Sequence, residues 1–123
     1  MVKINWKKYP KNTKIIRLGY NKITEIIWKG CPQWLTYIDL GNNKITTMNW
    51  KDCPQSLVEI ELSGNKITTI VWKDCPHGLT DIDLSNNFIK EIIWEDCPAS
   101  RKVVKLRNAK YLLKTHKCVI HKF

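Results

Sequence analysis

Tryptophan recurs every 22 residues, at Trp6, Trp28, Trp50, Trp72 and Trp94. The same interval separates Pro10, Pro32, Pro54, Pro76 and Pro98, and the cysteines Cys31, Cys53, Cys75 and Cys97. Segments 35–56 and 57–78 agree at 13 of their 22 positions. A period of this length constrains the fold more than any other property of the chain. Each unit is one small piece of structure that cannot cover its own apolar face, so neighbours have to stack and bury a continuous core.

Within the period runs L-x-x-I-x-L-x-x-N-x-I, as Leu35, Ile38, Leu40, Asn43 and Ile45. It returns as Leu57, Ile60, Leu62, Asn65 and Ile67, and as Leu79, Ile82, Leu84, Asn87 and Ile89. In I-D-L and I-E-L the alternation sends both apolar residues inward and the acid outward, which is a short strand. The asparagine can satisfy backbone groups of the adjoining turn, and stacked copies can do so as a ladder. A second alternation ends in Ile26 and Trp28, Met48 and Trp50, Ile70 and Trp72, and Ile92 and Trp94. It predicts extended structure on the opposite side, since no i, i+3, i+4 pattern runs long enough for a helix and proline soon follows.

This pattern resembles the leucine-rich repeat family over roughly residues 13–111. The 22-residue length, with Cys-Pro before each leucine, looks most like the short repeats of bacterial, protist and large-virus proteins. The resemblance implies a mainly β fold, a leucine-rich-repeat solenoid of about five units. Parallel strands would line its concave face, where partners of the family usually bind, and the convex side would be extended or irregular. One domain is expected over 1–123: an N-terminal half-unit or cap at 1–12, repeats at 13–111, and a C-terminal cap at 112–123.

The ends depart from the pattern as caps must. Tyr9 and Thr13 replace the cysteine and leucine of the first half-unit, and Arg101 and Ala109 replace the leucine and asparagine of the last unit. Val119, Ile120 and Phe123 are expected to cover one end. Val2, Ile4 and Trp6 alternate like an edge strand at the other, and such an edge invites pairing with another chain.

Alternation also assigns the outward residues of the strands. They are Ile15, Arg17 and Gly19; Tyr37, Asp39 and Gly41; Glu59, Glu61 and Ser63; Asp81, Asp83 and Ser85; and Val103, Lys105 and Arg107. Five of the 11 acidic residues thus fall in the middle of one face of a chain with net charge +10. Arg17 brackets them on one side, and Lys105 and Arg107 on the other. The candidate partner-binding set is therefore Arg17, Tyr37, Asp39, Glu59, Glu61, Asp81, Asp83, Lys105 and Arg107. Lysines form rows elsewhere: Lys22, Lys44, Lys66 and Lys110 after the asparagine position, and Lys7, Lys29, Lys51 and Lys73 after the tryptophans. The bland alternative for both features is a solvated margin that keeps the chain soluble.

Reactive sites fare worse. Residues at one position of a stack form a row, and zinc needs a tetrahedron, so the cysteines read as small packing residues. Five cysteines with no export leader point to reduced thiols. The tryptophans read as core, on the same face as the apolar residue two places before each; Trp34 stands outside the period. His116, Cys118 and His121 make H-x-C-x-x-H, but no second pair stands at matching spacing, and a packed cap is the simpler reading. No phosphate loop, G-x-S-x-G or H-E-x-x-H occurs, and no catalytic group assembles on the repeat. No enzyme activity, cofactor, metal, signal peptide or membrane span is expected, which places the chain inside the cell by default. Heavy use of Lys, Ile and Asn suits an AT-rich genome such as that of a large DNA virus or a protist.

The expected function is a non-catalytic protein–protein interaction module that binds a partner on the concave face. Two rivals compete with it. One is a nucleic-acid or anionic-surface binder using the lysine rows, although lysine outnumbers arginine 18 to 3 and bidentate phosphate recognition favours arginine. The other is a self-associating structural repeat, a homo-oligomer joined through its open ends.

Overall fold

The computed structural model describes residues 3–71, 73–93, 103–106 and 119–122, with the backbone alone for 92–93, 103–106 and 119–122. After a 3-10 turn at Trp6–Lys8 come β1 (Ile15–Arg17), β2 (Tyr37–Asp39), β3 (Thr47–Met48), β4 (Glu59–Glu61) and β5 (Thr69–Val71). Then follow β6 (Asp81–Asp83), β7 (Glu91–Ile93), β8 (Val103–Leu106) and β9 (Val119–Lys122). They form a six-stranded sheet, β1-β2-β4-β6-β8-β9, and a three-stranded sheet, β3-β5-β7. Every pair is parallel. From β2 to β8 the chain alternates between the two sheets, so these strands of the larger sheet are joined through the opposite layer, as parallel pairing requires.

The core lies between the layers. Leu35, Ile38, Leu40 and Ile45, with their equivalents one and two periods later, are almost wholly removed from water. Met48 and Ile70 close it from the three-stranded sheet. Each fully buried Leu or Ile contributes about 1.5–3 kcal/mol of transfer free energy. The identical period places like beside like: Ile16 pairs Ile38, then Ile60, then Ile82.

The asparagine ladder joins the units. Asn65 accepts from the Ile45 amide at 3.1 Å and donates to the carbonyls of Leu40 (2.9 Å) and Leu62 (3.0 Å). Asn43 and Asn87 repeat the arrangement one unit either way. Both asparagine functions therefore reach back to the preceding unit. On the other side Trp6, Trp28 and Trp50 are buried and stacked, with centroids 6.0 and 6.5 Å apart and planes within 15°. The indole N–H of Trp6 donates to Ile27 O at 2.7 Å and that of Trp28 to Asn49 O at 3.0 Å. Core placement of these tryptophans is borne out; Trp72 and Trp94 lie outside the described residues.

Turn chemistry repeats with the same period. Tyr20, Asn42, Gly64 and Asn86 have φ between 55° and 70°, and Gly30, Asp52 and Asp74 have φ of 87°, 63° and 59°. Asn and Asp tolerate this left-handed region and Gly adopts it freely. The aspartate of W-K-D-C-P is thus chosen by its backbone.

One expectation, at the N-terminal end, needs correction. Residues 3–8 contain no strand. Asn5 caps the 3-10 turn through its side chain, and Trp6 occupies the tryptophan slot of the repeat, against Trp28. The Val2-Ile4-Trp6 alternation is overridden because W-K-x-x-P is already the turn that closes each unit. At the other end, residues 119–122 add a sixth strand in register with β8, Val103 beside Val119 and Lys105 beside His121. The step is 16 residues instead of 22.

Candidate functional site

The outer face of the six-stranded sheet brings the candidate residues together in two rows. One runs Ile15, Tyr37, Glu59, Asp81, Val103; the other runs Arg17, Asp39, Glu61, Asp83, Lys105. Neighbours along a row stand about 4.8 Å apart, and the rows about 6.6 Å apart, as sheet geometry dictates. Tyr37, Asp39, Glu59, Glu61, Asp81 and Asp83 are all half-buried, because each side chain is flanked by those of the adjoining strands. Lys105 is placed by its backbone beside Asp83; its side chain, and the whole of Arg107, lie outside the described residues.

Two of the carboxylates also shape the backbone. Asp39 Oδ1 accepts from the Gly41 amide at 2.8 Å, and Asp83 Oδ1 from the Ser85 amide at 3.0 Å. Gly41 and Ser85 are buried here, and a Cβ at Gly41 would still point to the outer face, 3.2 Å from Asp39 Oδ1 and 3.5 Å from Ser63 Oγ.

Tyr37 reports the local field. Burial raises its phenol pKa, the carboxylates of Glu61, Asp39 and Glu59 raise it further, and Arg17 opposes them. The Arg17 guanidinium lies 5.8 Å from the centre of the Tyr37 ring. The face therefore carries net negative charge with one aromatic–cation pair at its N-terminal margin. Between β4 and β6 lies a dimple of about 10 Å³ lined by Glu59, Ile60, Glu61, Asp81, Ile82 and Asp83, far below the roughly 300–1,000 Å³ typical of small-molecule sites. A hollow of about 310 Å³ lies elsewhere, lined by Glu25, Trp28, Lys51 and their neighbours of the opposite layer.

The other candidates separate from this face. Lys22, Lys44 and Lys66 are exposed in one row, and Lys7, Lys29, Lys51 and Lys73 in another. Trp34 is 64% exposed. Cys31, Cys53 and Cys75 are buried thiols outside any disulfide. Desolvation pushes the Cys31 thiol up to about 12, and raises Cys53 as well, with Cys31 and Cys75 adding to it. Among the described residues no cluster of His, Cys, Asp and Glu could hold a metal ion. Cys97, His116 and Cys118 lie outside them. No helix among the described residues is long and apolar enough to cross a membrane.

The raised thiols carry a sign. Their neutral form is favoured in the fold, so the stability they contribute is present below the ordinary thiol pKa and is lost as pH rises from about 9 towards 12. Denaturation midpoints should fall over that window. At pH 8 Cys31, Cys53 and Cys75 should resist a disulfide reagent until denaturant is added; rapid labelling at these three positions in native protein would refute their burial.

Two parallel sheets on one repeated L-x-x-I-x-L-x-x-N unit, tied by an asparagine ladder, define a β repeat protein. Residues 31–47 match the family model described as Leucine Rich repeat, and the resemblance read from the sequence stands. That motif points to protein interaction in general, and its family is typically non-enzymatic. No curated protein matches the chain.

Proposed function

We propose that the chain is a non-catalytic interaction module, a single-domain solenoid of about five units, that holds a basic segment of a partner protein on its concave sheet face. The observation that carries this reading is the set of five in-register carboxylates on β2, β4 and β6, in a chain of net charge +10. A margin serving solubility alone has no need to reverse the sign of the whole molecule. A sheet locked by core packing loses little freedom on binding, and complementary charge sets orientation and association rate. Arg17 and Tyr37, with Lys105 and Arg107, would mark the two ends of the acidic strip and limit how far a basic segment can slide.

The test is a titration of a fluorescent oligolysine peptide into wild type and into Asp39→Lys/Glu61→Lys/Asp83→Lys. Exposed charge pairs contribute about 0.2–1 kcal/mol each, so losing three should weaken binding by roughly 3- to 150-fold. Wild-type affinity should also fall as salt rises. Equal affinity of the two proteins would refute the reading, and unchanged circular dichroism would confirm that the reversed protein folds.

A further inference from the structure

In a parallel sheet the odd and even residues of a strand bond to different neighbours. The Leu18 amide donates to Asp39 O, and the Thr36 and Tyr37 amides to Lys14 O, so the even-numbered residues around β1 face β2. The rule repeats inward: Leu40 N donates to Glu61 O, and Leu62 N to Asp83 O. Ile15 and Arg17 therefore aim their amides and carbonyls away from the sheet, where none finds a partner among the described residues. At the far end β9 keeps the same parallel register on β8, so by the same rule its odd residues face β8 and the even-numbered Ile120 and Lys122 face outward, where no further described strand pairs.

The side-chain ladder ends at the same place. Asn43, Asn65 and Asn87 reach back to the preceding unit, whereas the exposed Asn21 donates only to Leu18 and Gly19 of its own turn. Ile15 is 51% exposed, and a hollow of about 170 Å³ lined by Ile4, Tyr9, Leu18 and Ile23 opens at the same N-terminal unit. No proline stands in β1 and Arg17 is its one charged residue, so among the described residues its free side is left as a template for another strand.

We infer that the edge of β1 accepts β9 of a second copy of this chain, extending the six-stranded sheet from molecule to molecule. The two ends of one parallel sheet expose opposite halves of the same hydrogen-bonding pattern, so they fit each other as β8 fits β9. In the register shared by all the internal pairs, Val119 would stand beside Ile15, Ile120 beside Ile16 and His121 beside Arg17. Such a contact is heterologous and does not close on itself, so it yields chains of molecules. This assembly does not depend on what the acidic face binds.

Prolines placed on the free side test it, since each removes one outward amide without touching the ladder behind it. Sedimentation velocity over a concentration series should show wild type growing beyond dimers. Arg17→Pro and Lys122→Pro should each sediment as monomers, with Arg17→Ala still assembling. Mixing the two proline variants should give dimers and nothing larger, because each retains one working end. A wild type that stays monomeric at every concentration would overturn the inference. So would dimers of Lys122→Pro alone, which would mean that β1 pairs with β1, and so would a mixture of the two proline variants that stays monomeric. Circular dichroism verifies that each variant folds; should Arg17→Pro unfold, the decision passes to Lys122→Pro titrated with wild type, which should cap chains and reduce their mean length.

Discussion

Asn65→Ala should lower the unfolding free energy by about 3 kcal/mol, while Asn21→Ala should cost under about 1 kcal/mol. The two residues occupy the same position of the repeat, and only their neighbours differ. Removing Asn65 deletes bonds to Leu40, Leu62 and Ser63, yet none of those carbonyls is orphaned. Leu40 O still accepts from Asn43, Leu62 O from Asn87, and Ser63 O from the Asn42 amide. The group left stranded is the Ile45 N–H, whose acceptor was Asn65 Oδ1. An unpaired buried amide costs about 1–3 kcal/mol, and the lost side-chain bonds add roughly 1 kcal/mol each before relaxation. Asn21 is exposed and strands no buried amide; Leu18 O still accepts from Asn43, and Gly19 O is left to water. Urea midpoints of both variants decide the matter; equal losses would mean that the ladder does not couple the units.

The ladder also shows what a single sequence discloses. Asn43, Asn65 and Asn87 were legible as a structural row because the period puts them beside inward leucines. For the same reason the sequence alone orders the strands of the larger sheet and selects its outward residues. What alternation could not anticipate is where a side chain steers its own backbone. Asp39 and Asp83 accept from the amide two residues on, and Gly41 and Ser85 are buried there although alternation aims them outward. The aspartates of W-K-D-C-P hold left-handed turns, and the clue was Gly30 at the same repeat position. The N-terminal alternation misled because period 2 and the repeat competed for Trp6, and a buried indole outweighs a frayed strand. β9 escaped notice because V-I-H-K keeps the alternation while breaking the 22-residue count.

The tryptophan column gives the largest expected effect, with Trp28→Ala costing about 4 kcal/mol. Trp28 is 1% exposed and lies between Trp6 and Trp50, so truncation opens one cavity that breaks two stacked contacts. It also removes the donor to Asn49 O, a bond that ties the first unit to the second across the opposite layer. Trp28→Phe separates these contributions. A phenyl ring keeps much of the stack but cannot donate, so its cost should be about 1–2 kcal/mol, from the lost hydrogen bond and the smaller ring. Trp34→Ala serves as the control: it deletes an equally large side chain that is mostly in water, and should fall within about 0.5 kcal/mol of wild type. Because units couple mainly to their neighbours, the Trp28 and Asn65 substitutions act on adjoining junctions, and their losses should not simply add. A Trp28→Ala protein whose denaturation midpoint matched that of Trp34→Ala would show that the column fills space without holding the units together.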